Sequence, residues 1–223
     1  MYQLIDKFVE YCRMNLDLTE SETYNYRSLP ICIIDCVYSL RAKYYSVTVP
    51  ITKRYAAAYM NGDTHAKGDT VSQFLQHVDE IGGPEAFASK VLKNHQQLGG
   101  KAHIPKEQVC YKLAQYLSYL QIESIEDFQQ FKSQELLEIV IRAVKGLGDA
   151  GTNYLFMLAG DANRCKTDVH IHRCIKDACG VNISNDDCQK LFVEAVSILK
   201  EDYPSLTVRK LDGIIWRKYQ NQK

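Results

Sequence analysis

Residues 133–179 decide the fold and read SQELLEIVIRAVKGLGDAGTNYLFMLAGDANRCKTDVHIHRCIKDAC. Apolar residues recur with helical spacing on both sides of the KGLG motif at 145–148, and Ser133 is a favourable N-cap for the first helix. We expect a second apolar helix over 152–158. Two glycines one residue apart let the backbone turn with positive φ, so the stretch predicts a tight hairpin between two helices.

The hairpin has two interpretations. Without Cβ atoms at Gly146 and Gly148, the backbone amides and the positive end of the second helix would suit a phosphate group, with Leu147 tucked between the helices. Alternatively, the motif is only a short connection between antiparallel helices. The glycine pattern alone leaves both interpretations open.

The remaining sequence is helical almost throughout. The very apolar segment Leu29–Leu40 has β-branched residues that would suit a buried strand, but its length and the lack of a partner strand favour a buried helix. Further helices are predicted near 71–80 and 84–94. We therefore expect an all-α protein of about ten short helices.

Composition excludes several classes of protein. The 223 residues carry 27 basic and 27 acidic side chains, so the chain does not coat nucleic acid by bulk charge. No apolar run reaches the roughly 20 residues of a membrane span, and the N-terminus resembles no targeting peptide, so we expect a cytoplasmic, nucleoid-associated protein. Residues 141–176 are locally basic, with six bases against three acids.

Eight cysteines show no metal-site spacing. They form no CxxC pair and no histidine pair accompanies them, so we expect small buried side chains and no metal.

A family resemblance emerges from the hairpin and the residues after it. Gly146-Leu147-Gly148 and Asn153 are followed by Asp168-x-His170-Ile171-x-Arg173. This combination resembles the helix-hairpin-helix and Gly/Pro/Asp loop of the DNA glycosylase superfamily that includes endonuclease III and the adenine glycosylases. The resemblance implies two helical lobes with a DNA cleft between them: a barrel lobe over 30–160, and a second lobe from 1–29 and 161–223.

The resemblance also assigns roles to single residues. The DNA backbone would lie on the hairpin, whose contact residues would be Lys145, Gly146, Leu147, Gly148, Ala150 and Gly151. Arg173 would add a phosphate or structural contact, and Arg41 would fill the gap left in the duplex. Asp168 would stabilise the positive charge that develops on deoxyribose and orient the attacking water, and it would also cap the helix that follows.

The base pocket is the least defined part of this expectation. Tyrosines are dense in the region that the resemblance assigns to the pocket, at positions 24, 26, 38, 44, 45, 55 and 59. We single out Tyr26, Tyr38 and Tyr45 with Asp35 and His170 as candidate base contacts, since aromatic rings stack on an extruded base. Core packing is the alternative for each tyrosine, and a buried hydrogen bond is the alternative for Asp35.

Two departures from the family narrow the expected chemistry. Bifunctional members carry a lysine nucleophile at the position of Ala150, so this chain would leave an abasic site without cutting the strand. Many relatives hold an iron–sulfur cluster on C-terminal cysteines, but no cysteine follows Cys188, so no cluster is expected. A monovalent cation at the hairpin is left open.

Two functions therefore compete. The first is a monofunctional glycosylase, expected to be a monomer, that acts on double-stranded DNA containing a damaged or modified base, in repair or in defence against phage DNA. The second is a helix-hairpin-helix protein that binds DNA without chemistry. Asp168 at the family position favours the first, because a pure binder has no need for it.

Overall fold

The computed structural model describes residues 2–20, 26–99 and 103–220, which form an all-α fold as predicted. Two compact units are present. The continuous unit is Asn25–Gly160, and the discontinuous unit joins Met1–Tyr24 to Asp161–Lys223. The sequence had suggested boundaries at 30 and 160, and Tyr24 of the predicted tyrosine set lies outside the described residues.

The continuous unit is built around one central helix. Its helices are α2 (Leu29–Ser39), α3 (Val49–Tyr59), α4 (Val71–Glu80), α5 (Pro84–Phe87), α6 (Lys106–Tyr119), α7 (Ile125–Gln130), α8 (Gln134–Arg142) and α9 (Gly148–Leu158). Every residue of α2 is buried, and α3, α6 and α9 pack against it. This confirms the buried-helix interpretation of 29–40 and explains why that segment lacks a polar face.

Several local details differ from the sequence prediction. The helix expected over 84–94 is α5 followed by a π-helical turn, Ala88–Leu92, which ends at Lys93 in a left-handed conformation. A second π-helical turn, Tyr44–Thr48, precedes α3. A short antiparallel pair, β1 (Gln97–Leu98) and β2 (Ile104–Pro105), was not expected, because strands of two residues carry no periodic pattern.

The discontinuous unit is a four-helix cluster. Its helices are α1 (Tyr2–Asn15), α10 (Val169–Cys179), α11 (Asn185–Leu199) and α12 (Val208–Tyr219). Its core joins all four, and the rings of Phe8 and Phe192 lie 5.2 Å apart between α1 and α11. Within the described part of the chain, no helix is long and apolar enough to cross a membrane.

Candidate functional site

The hairpin between α8 and α9 has the predicted tight turn. Gly146 has φ +99° and Gly148 has φ +60°, both in the region that L side chains rarely adopt. Leu147 between them is 3% exposed and packs onto Gly151, where an added Cβ would come within 2.8 Å of the Leu147 side chain. The second helix begins at Gly148 rather than at Thr152, because the turn leads straight into helical backbone.

The two hairpin glycines are required for different reasons. A Cβ at Gly146 would lie 2.7 Å from the Leu98 side chain, so this position combines a left-handed backbone with a close contact. A Cβ at Gly148 would meet no atom within 4 Å, so only the backbone conformation requires glycine there. The open space above Gly148 leaves the start of α9 accessible, and helix starts expose amides that have no partner within the helix.

Ion pairs connect the two hairpin helices. Arg142 at the end of α8 pairs with Glu138 at 2.7 Å and with Asp149 in the first turn of α9. The positive end of α9 stabilises the Asp149 carboxylate, as it would stabilise a phosphate group. Arg142 offsets the negative charge of Asp149. Lys145 is exposed beside the turn, and Ala150 is half-buried.

Asp168, in the discontinuous unit, is the N-cap of α10. Its Oδ1 accepts hydrogen bonds from the backbone N–H groups of His170, at 2.9 Å, and Ile171, at 3.4 Å. This confirms the predicted cap. The residue is half-buried, and no hydrogen bond from the described residues reaches its Oδ2. One carboxylate oxygen therefore fixes the side chain and the other is available to a ligand or water.

The loop 161–168 that leads to Asp168 is fastened by side chains from later helices. On α11, Gln189 accepts from the Cys165 N–H at 3.0 Å and donates to the Asn163 carbonyl at 2.6 Å. On α12, Asp212 accepts from the Lys166 N–H at 2.8 Å. The Arg209 N–H also donates to the Ala162 carbonyl, at 3.0 Å. An irregular loop with its backbone groups satisfied in this way is well ordered.

Asp212 is a second carboxyl group near Asp168. It is 3% exposed, and no Lys or Arg among the described residues forms an ion pair with it. Burial, together with the negative charge of Asp168, raises the pKa of Asp212 to about 8. The Lys166 N–H and the Lys166 charge act in the opposite direction but do not reverse the effect. Asp212 is therefore mostly protonated at neutral pH.

Two further polar groups lie next to Asp168 in the chain. The Thr167 hydroxyl and the Nδ1 atom of His170 are buried, and neither has a hydrogen-bond partner among the described residues. Buried polar groups are normally paired, so these two are suited to bind water or a ligand group. Arg173 lies farther along α10 and is exposed.

The structure shows the buried hydrogen-bond role for Asp35. Its carboxylate is completely buried and accepts from three tyrosine hydroxyls: Tyr26 and Tyr44 at Oδ2, both at 2.8 Å, and Tyr154 at Oδ1, at 2.9 Å. Burial and the nearby Asp35 charge raise the pKa values of Tyr26 and Tyr44, so both remain donors. Sequence reasoning missed Tyr154, which faces Asp35 from α9.

The other residues of the predicted pocket lie in different surroundings. Tyr38 is completely buried and its hydroxyl has no partner among the described residues, whereas Tyr45 is 63% exposed. Tyr55 lies in the core, where its hydroxyl donates to Asp69. His170 belongs to the discontinuous unit.

Arg41 directly follows α2 and is held in an unusual conformation. Its φ is +54°, and a Cβ on Gly99 would lie 2.9 Å from its guanidinium, which extends over that glycine. The buried ammonium of Lys106 donates to the carbonyls of Tyr38 at 3.0 Å and Leu40 at 2.8 Å. A cation on the final carbonyls of a helix is favourable, so Lys106 stabilises the backbone from which Arg41 extends. No sequence pattern indicated this role.

A cysteine, a histidine and an asparagine also meet near α10, but they do not form a nucleophilic site. Cys188 Sγ lies 3.6 Å from His172 Nδ1, and His172 Nε2 lies 2.9 Å from Asn185 Oδ1. Burial raises the pKa of Cys188 to about 12, and the side chain is inaccessible. A reactive cysteine requires a lowered pKa and access, so this group is structural.

The cysteines do not form a metal site among the described residues. All eight are buried thiols without a disulfide bond. In the described ranges, no three His, Cys, Asp or Glu residues are grouped so that they could hold a metal ion.

Comparison with known proteins assigns the chain to a family. The family model described as "Domain of unknown function (DUF8548)" matches residues 4–220, so the chain belongs to that family. No curated protein and no solved structure matches it.

Proposed function

We propose that this member of the DUF8548 family is a monofunctional DNA glycosylase, which hydrolyses the N-glycosidic bond of a damaged or modified base and leaves an abasic site. The observation that carries the proposal is Asp168. Its carboxylate is held by two backbone N–H groups at the start of α10. In the sequence, it follows the glycine hairpin at the spacing that resembles the DNA glycosylase superfamily.

The hairpin supports the DNA-binding half of the proposal. Its left-handed glycines and the open space at Gly148 leave room for a phosphate group at the start of α9. Exposed Lys145 adds a positive charge beside it. The partner would be double-stranded DNA. The protein would act as a monomer in the cytoplasm, associated with the nucleoid.

Asp168 supplies the chemistry of the proposed reaction. As the base departs, positive charge builds up on the deoxyribose, and a rigidly held carboxylate stabilises it without reorganisation. The Oδ2 atom would face the sugar or align the attacking water, while Oδ1 keeps its hydrogen bonds to the helix. The unpartnered groups of Thr167 and His170 offer further hydrogen bonds to a water or sugar oxygen.

Ala150 defines where the reaction would stop. A methyl side chain cannot form a Schiff base with the sugar, so the strand would remain intact. The products would be a free base and an abasic site that breaks only on alkali treatment.

A panel of duplex oligonucleotides tests the proposal. The panel carries alkylated purines, oxidised bases, mismatches and bulky modified cytosines, and alkali treatment after incubation reveals abasic sites. We expect one class to be cleaved by the wild type, and Asp168→Asn to lose at least about a hundredfold in rate. Asparagine is also a good N-cap, so this variant keeps α10 and isolates the charge.

The control is Asp186→Asn, which removes an exposed carboxylate from the first turn of α11 and should leave the rate unchanged. Full activity in Asp168→Asn would show that the assigned mechanism is wrong. If the protein binds the duplexes of the panel but forms no abasic site in any of them, the result favours the second candidate, a helix-hairpin-helix protein that binds DNA without chemistry.

A further inference from the structure

The loop before Asp168 has no regular structure, yet residues of α11 and α12 hydrogen-bond to several of its backbone groups. Gln189 bonds to the Asn163 carbonyl and the Cys165 N–H, and Asp212 takes the Lys166 N–H. Lys166 is only two residues before Asp168, and its carbonyl accepts from the Asp168 N–H. Asp212 is therefore the side chain that anchors the segment carrying the candidate catalytic carboxylate.

The surroundings of Asp212 are unusual for an anchoring carboxylate. It is buried in α12, it has no ion-pair partner among the described residues, and its charged neighbours are Lys166 and Asp168. Cys165 is the other titratable group beside it. A carboxyl group that is buried near a second carboxyl group does not ionise readily, and Asp212 is the more buried of the two.

We propose that Asp212 is a positioning residue for Asp168: as a neutral carboxylic acid, it accepts the Lys166 N–H and so fixes the Lys166–Asp168 segment. The inference rests on the proposed function for its catalytic consequence, while the anchoring itself does not. Its pKa of about 8 agrees with the neutral form near pH 7.

If Asp212 anchors the loop, two substitutions of this residue should have different effects. Asp212→Asn is neutral and keeps a carbonyl oxygen as acceptor for the Lys166 N–H. Asp212→Ala removes the acceptor and leaves that N–H without a partner. We therefore expect the asparagine variant to resemble the wild type at pH 7 and the alanine variant to loosen the loop.

Amide hydrogen exchange at Lys166 measures the anchoring directly. We expect Asp212→Ala to speed exchange about tenfold or more, and Asp212→Asn not to speed it by more than about threefold. Equal exchange in the two variants would overturn the proposal. Because the alanine variant leaves a buried gap, ¹³C NMR of the aspartate carboxyls in the wild type provides a second measurement. A signal for Asp212 that titrates near pH 4 would overturn its neutral role.

The catalytic consequence is measured on the panel duplex that the wild type cleaves fastest. Asp212→Ala should lower kcat about tenfold or more. Its Kd for a duplex with a tetrahydrofuran abasic site should stay within about twofold of the wild-type value. Asp212→Asn should keep the kcat of the wild type. A purely structural role would lower only the fraction of molecules that bind this tetrahydrofuran duplex, so kcat is calculated per binding-competent molecule. If Lys166 exchange rises while kcat is unchanged, positioning is refuted. If no duplex is cleaved, the proposed function fails, and the exchange and NMR measurements still decide whether Asp212 anchors the loop.

Discussion

Replacing Asp212 by asparagine should change how the stability of the protein depends on pH. In the folded protein the pKa of Asp212 is about 8, whereas its ordinary value is 3.8. Between these values the folded state keeps a proton that the unfolded chain has released. Stability from this group is therefore complete below about pH 4 and is lost as pH rises towards 8. Asparagine cannot ionise, so the variant lacks this dependence.

The size of the effect follows from the difference in pKa. Each unit corresponds to about 1.4 kcal/mol, so a difference of about four units corresponds to about 6 kcal/mol. The side chain is fully buried, so solvent screening does not reduce this value. The free energy of unfolding of a typical domain is about 5–15 kcal/mol, so the effect is large on that scale. Asp212→Asn should gain about 6 kcal/mol relative to the wild type between pH 4 and pH 8.

Urea unfolding at half-unit pH steps and constant ionic strength measures this difference. The free energies of unfolding of variant and wild type should diverge steadily up to about pH 8 and then run parallel. The control, Asp186→Asn, makes the same substitution at an exposed position, and its curve should follow the wild type. A constant difference between Asp212→Asn and the wild type across the range would refute the argument that Asp212 is buried as a neutral acid.

Four further substitutions test the framework around the site. Gly148→Ala should lower the free energy of unfolding by about 1–2 kcal/mol, because alanine strains the left-handed backbone. Gly146→Ala should lower it distinctly more, because its Cβ also meets the Leu98 side chain. Equal losses of the two variants in urea unfolding would contradict this. Lys106→Met should cost about 1–3 kcal/mol, since two helix carbonyls lose their donor; an unchanged or raised Tm would oppose it. Tyr154→Phe leaves Asp35 with two of its three tyrosine donors and should cost about 1–3 kcal/mol; wild-type stability in chemical denaturation would show that the third donor contributes nothing.

Local sequence patterns predicted the parts of the site that depend on local chemistry. The turn at Gly146 and Gly148 requires positive φ, and the cap at Asp168 requires a short acceptor before a helix, so each leaves a signature within a few residues. The apolar segment 29–40 was also correctly interpreted as a buried helix, because its length exceeds that of a typical strand.

The anchors of the site could not be predicted in this way. Asp212 reaches Lys166 from 46 residues later in the chain, and Lys106 caps a helix that ends 67 residues earlier at Ser39. Such contacts depend on tertiary packing and have no periodicity. An acidic residue within an apolar helix indicated a buried hydrogen bond at Asp35, but the sequence could not identify the tyrosines that donate to it.

The interrupted order of the discontinuous unit has a consequence for synthesis on the ribosome. The continuous unit is made without interruption, so its residues are all available early. The loop that carries Asp168 emerges before Gln189 and Asp212 have been translated, and it lacks the bonds they provide until α11 and α12 follow. The loop that carries the proposed active carboxylate can therefore be anchored only after α12 has been made, so a nascent chain can form the glycine hairpin before this loop is held in place.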